Sequence, residues 1–145
     1  MAVKPIPAGY HTVTPFLLCK GVRELLDFMK TAFEAEVKDR HDAQDGTVMH
    51  AAIRIGDSML MLGEARGEWQ PMPSMLYLYV PDVDSFYKRA IAAGGKSLRE
   101  PTNEFYGDRS CGILDASGNQ WWIATHIEDV SPEEMKKREE AAGKK

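Results

Sequence analysis

Residues 105–109 (Phe-Tyr-Gly-Asp-Arg) place an acid beside a base, in a loop that leads into a predicted strand. Loops held by a rigid framework often carry binding and catalytic residues. Because neighbouring residues of a strand face opposite sides, only one of Asp108 and Arg109 can face a given site. There, Asp108 would act as a general base, whereas Arg109 would bind an anionic oxygen. The alternative is an ion pair within the loop, with Glu104 or Arg54 as the partner.

Histidine and carboxylate side chains elsewhere are candidates for acid–base chemistry or for metal binding. His50 opens the predicted third strand and His126 closes the last one, so the two can meet only if the fold brings them together. No pair among the four histidines has the i, i+4 or His-x-His spacing of a metal site on one element. Glu64, just after the fourth strand, is a further candidate. The alternative for each histidine is a strand-end side chain bonded to backbone.

Composition is typical of a single globular domain. Hydrophobic residues make up 43% of the 145 residues and charged residues 28%, as in ordinary folded domains. The net charge is −4, and basic residues are dense only in the C-terminal tail, which argues against a nucleic-acid partner. The apolar runs are too short to span a membrane.

The N-terminus and the cysteines indicate a cytoplasmic protein. The first residues, Met-Ala-Val-Lys-Pro-Ile-Pro, lack the apolar region of a secretion signal. Cys19 and Cys111 lie far apart with no Cys-x-x-Cys motif, so we expect reduced thiols in the core rather than a disulfide. Cys19 is a weak candidate nucleophile, because nothing near it in the sequence would activate its thiol.

The hydrophobic pattern predicts the same series of elements twice. Apolar stripes at helical spacing predict helices at 22–33 and 83–91. Strands are predicted at 12–19, 36–41, 49–55 and 58–62 and, after a linker at 63–73, at 75–80, 96–100, 109–114 and 120–125. The order is therefore β-α-β-β-β, twice. A capping box at Ser131 predicts a short exposed helix in the tail.

An internal repeat accounts for this order. The apolar residues Leu17, Val22 and Leu25 recur 61 positions later as Leu78, Val83 and Phe86. A unit of about 60 residues is too long for a solenoid and indicates a duplicated supersecondary unit. One βαβββ unit leaves an apolar face open, so two units, or two chains, must pack together to bury it.

The two modules and their sequence motifs resemble the vicinal-oxygen-chelate superfamily (glyoxalase, bleomycin resistance protein and dioxygenase), and in particular its PhnB-like branch. The matching segments are residues 14–17, 49–62, 78–84, 105–109 and 115–126. The resemblance implies an α+β fold in which two βαβββ modules form curved mixed sheets around a cavity. It also implies a homodimer, or two half-sites within one chain.

The superfamily includes metal enzymes in which inward-facing His, Gln or Glu side chains hold a divalent ion. The resemblance implies that such ligands would stand at matching positions of this chain. The corresponding positions are Thr14, Leu60 or Met61, Met75 and Trp122. None of these side chains is a competent ligand for a hard divalent ion. We therefore expect no metal and no other cofactor, and a cavity floor that is apolar.

Aromatic residues are the candidates for a ligand-binding surface. Trp121 and Trp122 are neighbours on one strand, so one must face the cavity and the other a helix; the resemblance assigns Trp122 to the cavity. Tyr77 and Tyr79 share a strand face with Met75. Aromatic walls suit a flat organic ligand. The full set of expected ligand-binding residues is Trp122, Tyr77, Tyr79, Met61, Met75, Tyr106, Arg109 and Arg54.

The sequence is compatible with three functions. The first is a metal-free protein that binds a small organic molecule, of the drug-sequestering kind. The second is an enzyme of the superfamily, with a rearranged metal site or with Asp108 or His50 in acid–base catalysis. The third is an interaction protein whose cavity is filled by its own side chains. We expect one domain over residues 1–145, with modules at 12–64 and 74–127 and a helical tail at 128–145.

Overall fold

The computed structural model describes residues 3–143 and contains two sheets and three helices. The expected domain over 1–145 and tail over 128–145 include residues 1, 2, 144 and 145, which lie outside the described part. The elements are β1 (Phe16–Cys19), α1 (Val22–Phe33), β2 (Glu36–Asp42), β3 (Val48–Ile55), β4 (Ser58–Glu64), β5 (Met75–Tyr79), α2 (Val83–Ala92), β6 (Lys96–Asn103), β7 (Asp108–Leu114), β8 (Gln120–His126) and α3 (Pro132–Gly143).

Each module forms one four-stranded mixed sheet, as predicted. The strand orders are β1-β4-β3-β2 and β5-β8-β7-β6. In both sheets the first strand runs parallel to the fourth, and the other neighbours are antiparallel. The registers also repeat, because Leu17 pairs with Leu62 in the first sheet and Leu78 pairs with Ile123 in the second. The duplication seen in the sequence is thus a duplication of the fold.

A side chain from the last strand of each module caps the N-terminus of that module's helix. Glu64, at the end of β4, accepts hydrogen bonds from the backbone N–H groups of Gly21 and Val22. Thr125, 61 residues later near the end of β8, accepts one from the N–H of Val83. Each side chain satisfies an N–H group that the first helical turn leaves without a partner. Glu64 is therefore committed to the fold rather than to a binding site.

A common core joins the two modules through their helices. α1 packs on α2, and the apolar sides of both sheets contribute to one buried cluster. Trp121 is fully buried, and its ring lies 4.9 Å from that of Phe33 on α1. The helix stripes read from the sequence are the surfaces that meet here. The opposite face of each sheet points away from α1 and α2 and is called the open face below.

The observed element bounds differ from the predicted ones mainly at two strands. The first strand begins at Phe16 rather than at residue 12, since Pro15 has no N–H for the ladder, although its carbonyl still accepts from Met61 at 2.9 Å. β6 continues to Asn103, with two register irregularities that the sequence pattern does not reveal.

The tail helix α3 begins as the capping box predicts, with the Ser131 hydroxyl accepting from the N–H of Glu134 at 3.2 Å. α3 has no buried residues, but Arg138 donates to the carbonyl of Phe105 at 3.0 Å and so ties the helix to the turn that carries Tyr106. Within residues 3–143, no helix is long and apolar enough to span a membrane.

Candidate ligand-binding site

The open face of the second sheet carries a row of aromatic side chains. Alternation along β5 sends Leu76 and Leu78 toward the core and Met75, Tyr77 and Tyr79 to the open face. These three are 68%, 47% and 65% exposed. Large apolar side chains are seldom left this exposed in a contiguous patch unless something binds them.

A buried carboxylate anchors the two tyrosines. Asp108, at the start of β7, is 3% exposed, and its Oδ2 accepts from the hydroxyls of Tyr77 at 2.8 Å and Tyr79 at 2.9 Å. β8 lies between β5 and β7 and offers the small Ala124 at this point, so the tyrosine side chains can reach across it. The anchored rings lie 5.2 Å apart, at 57° to each other.

His126 completes the cluster from the end of β8. Its Nδ1 lies 2.9 Å from Asp108 Oδ1, and its Nε2 lies 2.7 Å from Asp129 Oδ1. The imidazole is half exposed and Asp129 is fully exposed. Asp108 therefore has three donors on its two oxygens, and both nitrogens of His126 face a carboxylate.

These contacts shift the pKa values in a consistent way. Burial opposes the ionisation of Asp108, but the bonds from His126, Tyr77 and Tyr79 outweigh it and hold the pKa of this carboxyl below its usual value. The bonds to Asp108 and Asp129 raise the pKa of His126. Burial and the bond to Asp108 raise the pKa of Tyr77, and the bond to Asp108 followed by burial raises that of Tyr79. The cluster thus favours the ionised carboxylate of Asp108, the protonated form of His126 and the neutral forms of the two phenols.

The first module has no such cluster at the equivalent positions. The shared register aligns Tyr77 and Tyr79 with Phe16 and Leu18. The pairing of β3 with β4 ends at His50 and Gly63, and continuing its register by two residues along each strand matches Asp108 and His126 with Val48 and Ala65. Val48 and Ala65 are buried and apolar. The βαβββ fold can therefore be built with apolar side chains at these positions, so the polar cluster is not a requirement of the architecture.

Two glycines let aromatic rings lie flat on the open faces. A Cβ atom at Gly112 would come within 2.7 Å of the Trp122 ring, and one at Gly63 within 2.8 Å of the Phe16 ring. Trp122 is half-buried, and its indole N–H donates to Gln120 Oε1 at 3.0 Å. The adjacent Trp121 points into the core. Trp122 thus lies on the open face of the second sheet.

A cleft of about 970 Å³ lies between the modules. Both faces of β5 border it, together with Phe16 of the first module. Polar groups stand at its rim, where Arg54 donates to Glu36 at 3.1 Å and Asp57 lies in the turn between β3 and β4. The cleft therefore combines aromatic walls with a few polar groups, as small-molecule sites commonly do.

Comparison with known proteins decides the family. The sequence model of the Glyoxalase/Bleomycin resistance protein/Dioxygenase superfamily matches residues 10–123. The chain belongs to this superfamily. Uncharacterized proteins of Mycobacterium bovis and Mycobacterium tuberculosis are 27% identical to it over 146 aligned positions, which cover 93% of this chain and 93% and 84% of theirs.

Solved structures of the glyoxalase superfamily share the fold. TioX from Micromonospora sp. ML1 matches with a TM-score of 0.66 and 20% identity over 79% of this chain and 99% of its own. A PhnB protein from Bacillus cereus matches with a TM-score of 0.65 and 17% identity over 79% and 99%. The fosfomycin resistance protein FosX from Listeria monocytogenes, complexed with Mn(II) and a sulfate ion, matches with a TM-score of 0.62 and 17% identity over 89% and 97%.

The structure separates the neighbours Asp108 and Arg109. Asp108 lies on the open face, whereas Arg109 points to the helix side, where it donates to Asp84 at 3.0 Å through two nitrogens and to Asn103 at 3.0 Å. This orientation differs from the ligand-binding position expected for Arg109. Neither expected ion pair forms: Glu104 pairs with Arg99 rather than with Arg109, and Arg54 pairs with Glu36 rather than with Asp108. The contact between Arg109 and α2 spans 25 positions and could not be read from neighbours in sequence.

The other expected residues are distributed over both modules. Met61 and His50 lie on the open face of the first sheet, where the His50 ring is 5.9 Å from that of Phe16. His126 lies on the second sheet, so the two histidines are not brought together. Tyr106 is partly exposed and lies beside Tyr77. Asp129 and Phe16 were not expected; the repeat alignment of Phe16 with Tyr77 was a signal that could have found the latter.

The donor set does not fit the divalent ion that the superfamily's metal enzymes hold. Leu60 is buried on the core side, Met61 and Met75 offer thioethers, and Trp122 offers an indole. Thr14 lies before β1, outside the sheet. Over residues 3–143, no three His, Cys, Asp or Glu side chains are grouped so that they could hold a metal ion.

Proposed function

We propose that this protein binds a flat organic molecule, of the drug-sequestering type known from its superfamily, and that it does so without a resident metal ion. The observation that carries the proposal is the cleft of about 970 Å³ walled by Phe16, Met75, Tyr77 and Tyr79. Stacking on these rings would provide affinity, because aromatic side chains offer large rigid surfaces. The polar groups at the rim would orient the ligand.

The size of the cleft favours binding over the alternative of a filled cavity. Pockets for drug-sized ligands typically measure about 300–1,000 Å³, and this cleft lies at the upper end of that range. Of the bulky residues expected to line a cavity, Met75 borders the cleft, whereas Met61 and Trp122 do not. The side chains at the positions of the superfamily's metal ligands also favour recognition by stacking and hydrogen bonding rather than by chelation.

The proposal is tested by thermal unfolding of chelator-treated protein in the presence of metal-free bleomycin and a panel of planar aromatic compounds. A ligand at one hundred times its Kd adds about 2.7 kcal/mol to the unfolding free energy, which is about 5–10 °C in Tm for a domain of this size. Mass spectrometry should recover the bound compound unchanged. Absence of any saturable shift across the panel would refute the proposal.

Variants of exposed cleft residues locate the site. Met75→Ala and Phe16→Ala alter side chains that are 68% and 50% exposed, so they should weaken binding with little loss of stability. The matched control is Trp69→Ala, since Trp69 is 65% exposed on the linker and does not border the cleft. Equal binding by all three variants would place the ligand elsewhere.

A second candidate is an enzyme with acid–base chemistry at Asp108 and His126. Asp108 holds Nδ1 of the imidazole, and Nε2 lies 2.7 Å from the fully exposed Asp129, which a substrate would displace before His126 acts as a general acid or base. The same mass-spectrometric assay separates the candidates. Conversion of a bound compound by the parent protein, lost in His126→Gln, would favour the enzyme.

We further propose that the protein is a cytoplasmic homodimer that binds a small organic molecule and neither nucleic acid nor membrane. The exposed apolar residues on both open faces are the support for a second copy. The buried thiols of Cys19 and Cys111 suit a reducing compartment. Light scattering coupled to size exclusion tests the dimer, and cell fractionation tests the location.

A further inference from the structure

The cluster around Asp108 engages the hydrogen-bond donors of Tyr77, Tyr79 and His126 on the open face of the second sheet. The hydroxyl hydrogens of Tyr77 and Tyr79 both point to Asp108, and both nitrogens of His126 face carboxylates. The Trp122 indole N–H is bound within its own strand. A ligand that approaches beside Asp108 meets phenol oxygens whose hydrogens are already engaged, and the faces of aromatic rings. Such a surface accepts hydrogen bonds and attracts positive charge.

The tyrosine rings are held in place and remain accessible. Each ring is fixed at its hydroxyl by Asp108, and the two are 47% and 65% exposed. A phenol that donates to a carboxylate pushes electron density into its ring, which strengthens the attraction between the ring face and a cation. Tyr106, beside Tyr77, adds a third ring. Because the rings are anchored before binding, the conformational-entropy cost of ordering them on ligand binding is lower.

The charges around the rings add to this attraction. Asp108 and Asp129 are two carboxylates beside a single imidazole, so the cluster keeps a net negative charge even when His126 is protonated. Nearby arginines do not compensate for it. Arg109 lies on the opposite side of β7, bound to an aspartate, and Arg99 on β6 is paired with a glutamate at 2.9 Å.

We infer that the open face of the second sheet binds a small organic cation, such as a quaternary ammonium or protonated amine group, over the rings of Tyr77 and Tyr79 beside Asp108. This inference rests on the proposed function and names the chemical class of the ligand. The first module, with Phe16, Leu18 and Val48 at the equivalent positions, lacks the carboxylate and should not share the preference.

The test uses three probes of matched shape and different charge. Choline carries a trimethylammonium group, 3,3-dimethylbutan-1-ol is its neutral isostere, and 3,3-dimethylbutanoate is an anionic counterpart. Titration followed by ligand NMR measures the affinity of each, and the methyl protons of a bound probe should shift upfield because they lie over aromatic rings. We expect choline to bind at least about fivefold more tightly than the neutral probe and the anion to bind most weakly.

Variants assign the preference to the cluster. Tyr79→Leu and Tyr77→Leu should reduce choline binding at least about threefold by removing a ring, while Asp108→Asn should bring the choline affinity toward that of the neutral probe. Trp69→Leu is the control, because it removes an equally exposed aromatic ring from the linker. Circular dichroism verifies that each variant is folded. Since Tyr79 is 65% exposed, its variant should fold even if Asp108→Asn does not.

The outcomes separate this inference from the proposed function. Equal affinity for the three probes, or no effect of Tyr79→Leu, overturns the cation preference while leaving small-molecule binding intact. Preference for the anion overturns it and makes His126 the recognition group. If metal-free bleomycin or a planar compound binds but none of the three probes does, the inference fails alone. If nothing binds, both proposals fail.

Discussion

Replacing Asp108 by valine tests whether the polar cluster serves the fold or a ligand. Val48 holds the equivalent position in the first module, so the substitution introduces a side chain that the architecture accepts. On its own, Asp108→Val leaves two hydroxyls and an imidazole without their acceptor. We therefore compare it with a fourfold variant that transfers the complete apolar set: Tyr77→Phe, Tyr79→Leu, Asp108→Val and His126→Ala.

The expected magnitude follows from the contacts of Asp108. A hydrogen bond to a charged group contributes about 1.5–3 kcal/mol, and Asp108 accepts three. Water can reach the half-exposed tyrosine hydroxyls and can replace part of the hydrogen bonding that they lose. We expect the single variant to lose about 2–4 kcal/mol of unfolding free energy, in line with the cost of removing one partner from a buried pair. That loss corresponds to about 6–12 °C in Tm.

The fourfold variant should recover to within about 1 kcal/mol of the parent, because exchanging a whole buried polar group for apolar side chains is often neutral. Urea denaturation followed by circular dichroism measures both variants, with equal m values required for the comparison. A neutral single variant would show that the cluster contributes no net stability. A fourfold variant no more stable than the single one would refute the equivalence of the two modules at these positions.

Four further outcomes are expected. Because the pKa of His126 is raised above its unfolded value near 6.5, its stabilising contribution is complete below that pH and is lost as the pH rises through the folded-state pKa; His126→Gln should flatten this part of the stability profile. Burial raises the pKa of Cys19 and Cys111 to about 11, so iodoacetamide at neutral pH should modify them only after unfolding in urea. Gly112→Ala should displace the Trp122 ring, change the near-ultraviolet circular dichroism and cost about 1–3 kcal/mol. Elemental mass spectrometry of native protein exposed to nickel, manganese, zinc and iron(II) should find less than stoichiometric metal, and a tight equivalent of any ion would contradict the metal-free proposal.

The fold was largely predictable because its signals are local and occur twice. The stripe from Val22 to Phe33 has helical spacing, and the structure places α1 over those residues. The predicted strand bounds differ by more than two residues from the observed ones only at β1 and β6, where hydrogen-bond pairing with a neighbouring strand decides the bound. Pro15 delays the start of β1, and β6 extends because β7 offers partners as far as Asn103.

The candidate site was predictable in its residue types but not in its connections. Tyr77, Tyr79, Trp122 and Asp108 were all candidates, and strand alternation correctly placed Tyr77 and Tyr79 on one face with Met75. The contacts of Asp108 were not foreseen, since its partners lie 31, 29 and 18 positions away. Only the strand order β5-β8-β7 brings them together.

The sequence by itself determined the duplicated module, the superfamily and the absence of ligand donors at the metal positions, because periodicity and residue type are properties of the chain alone. The tertiary structure decided which neighbour of a pair serves which face. It turned Asp108 to the open side and Arg109 toward Asp84, and it committed Glu64 to capping α1. Because side chains alternate along a strand, two neighbouring residues must face opposite sides of the sheet. Which residue faces the open side depends on the side on which the helices pack.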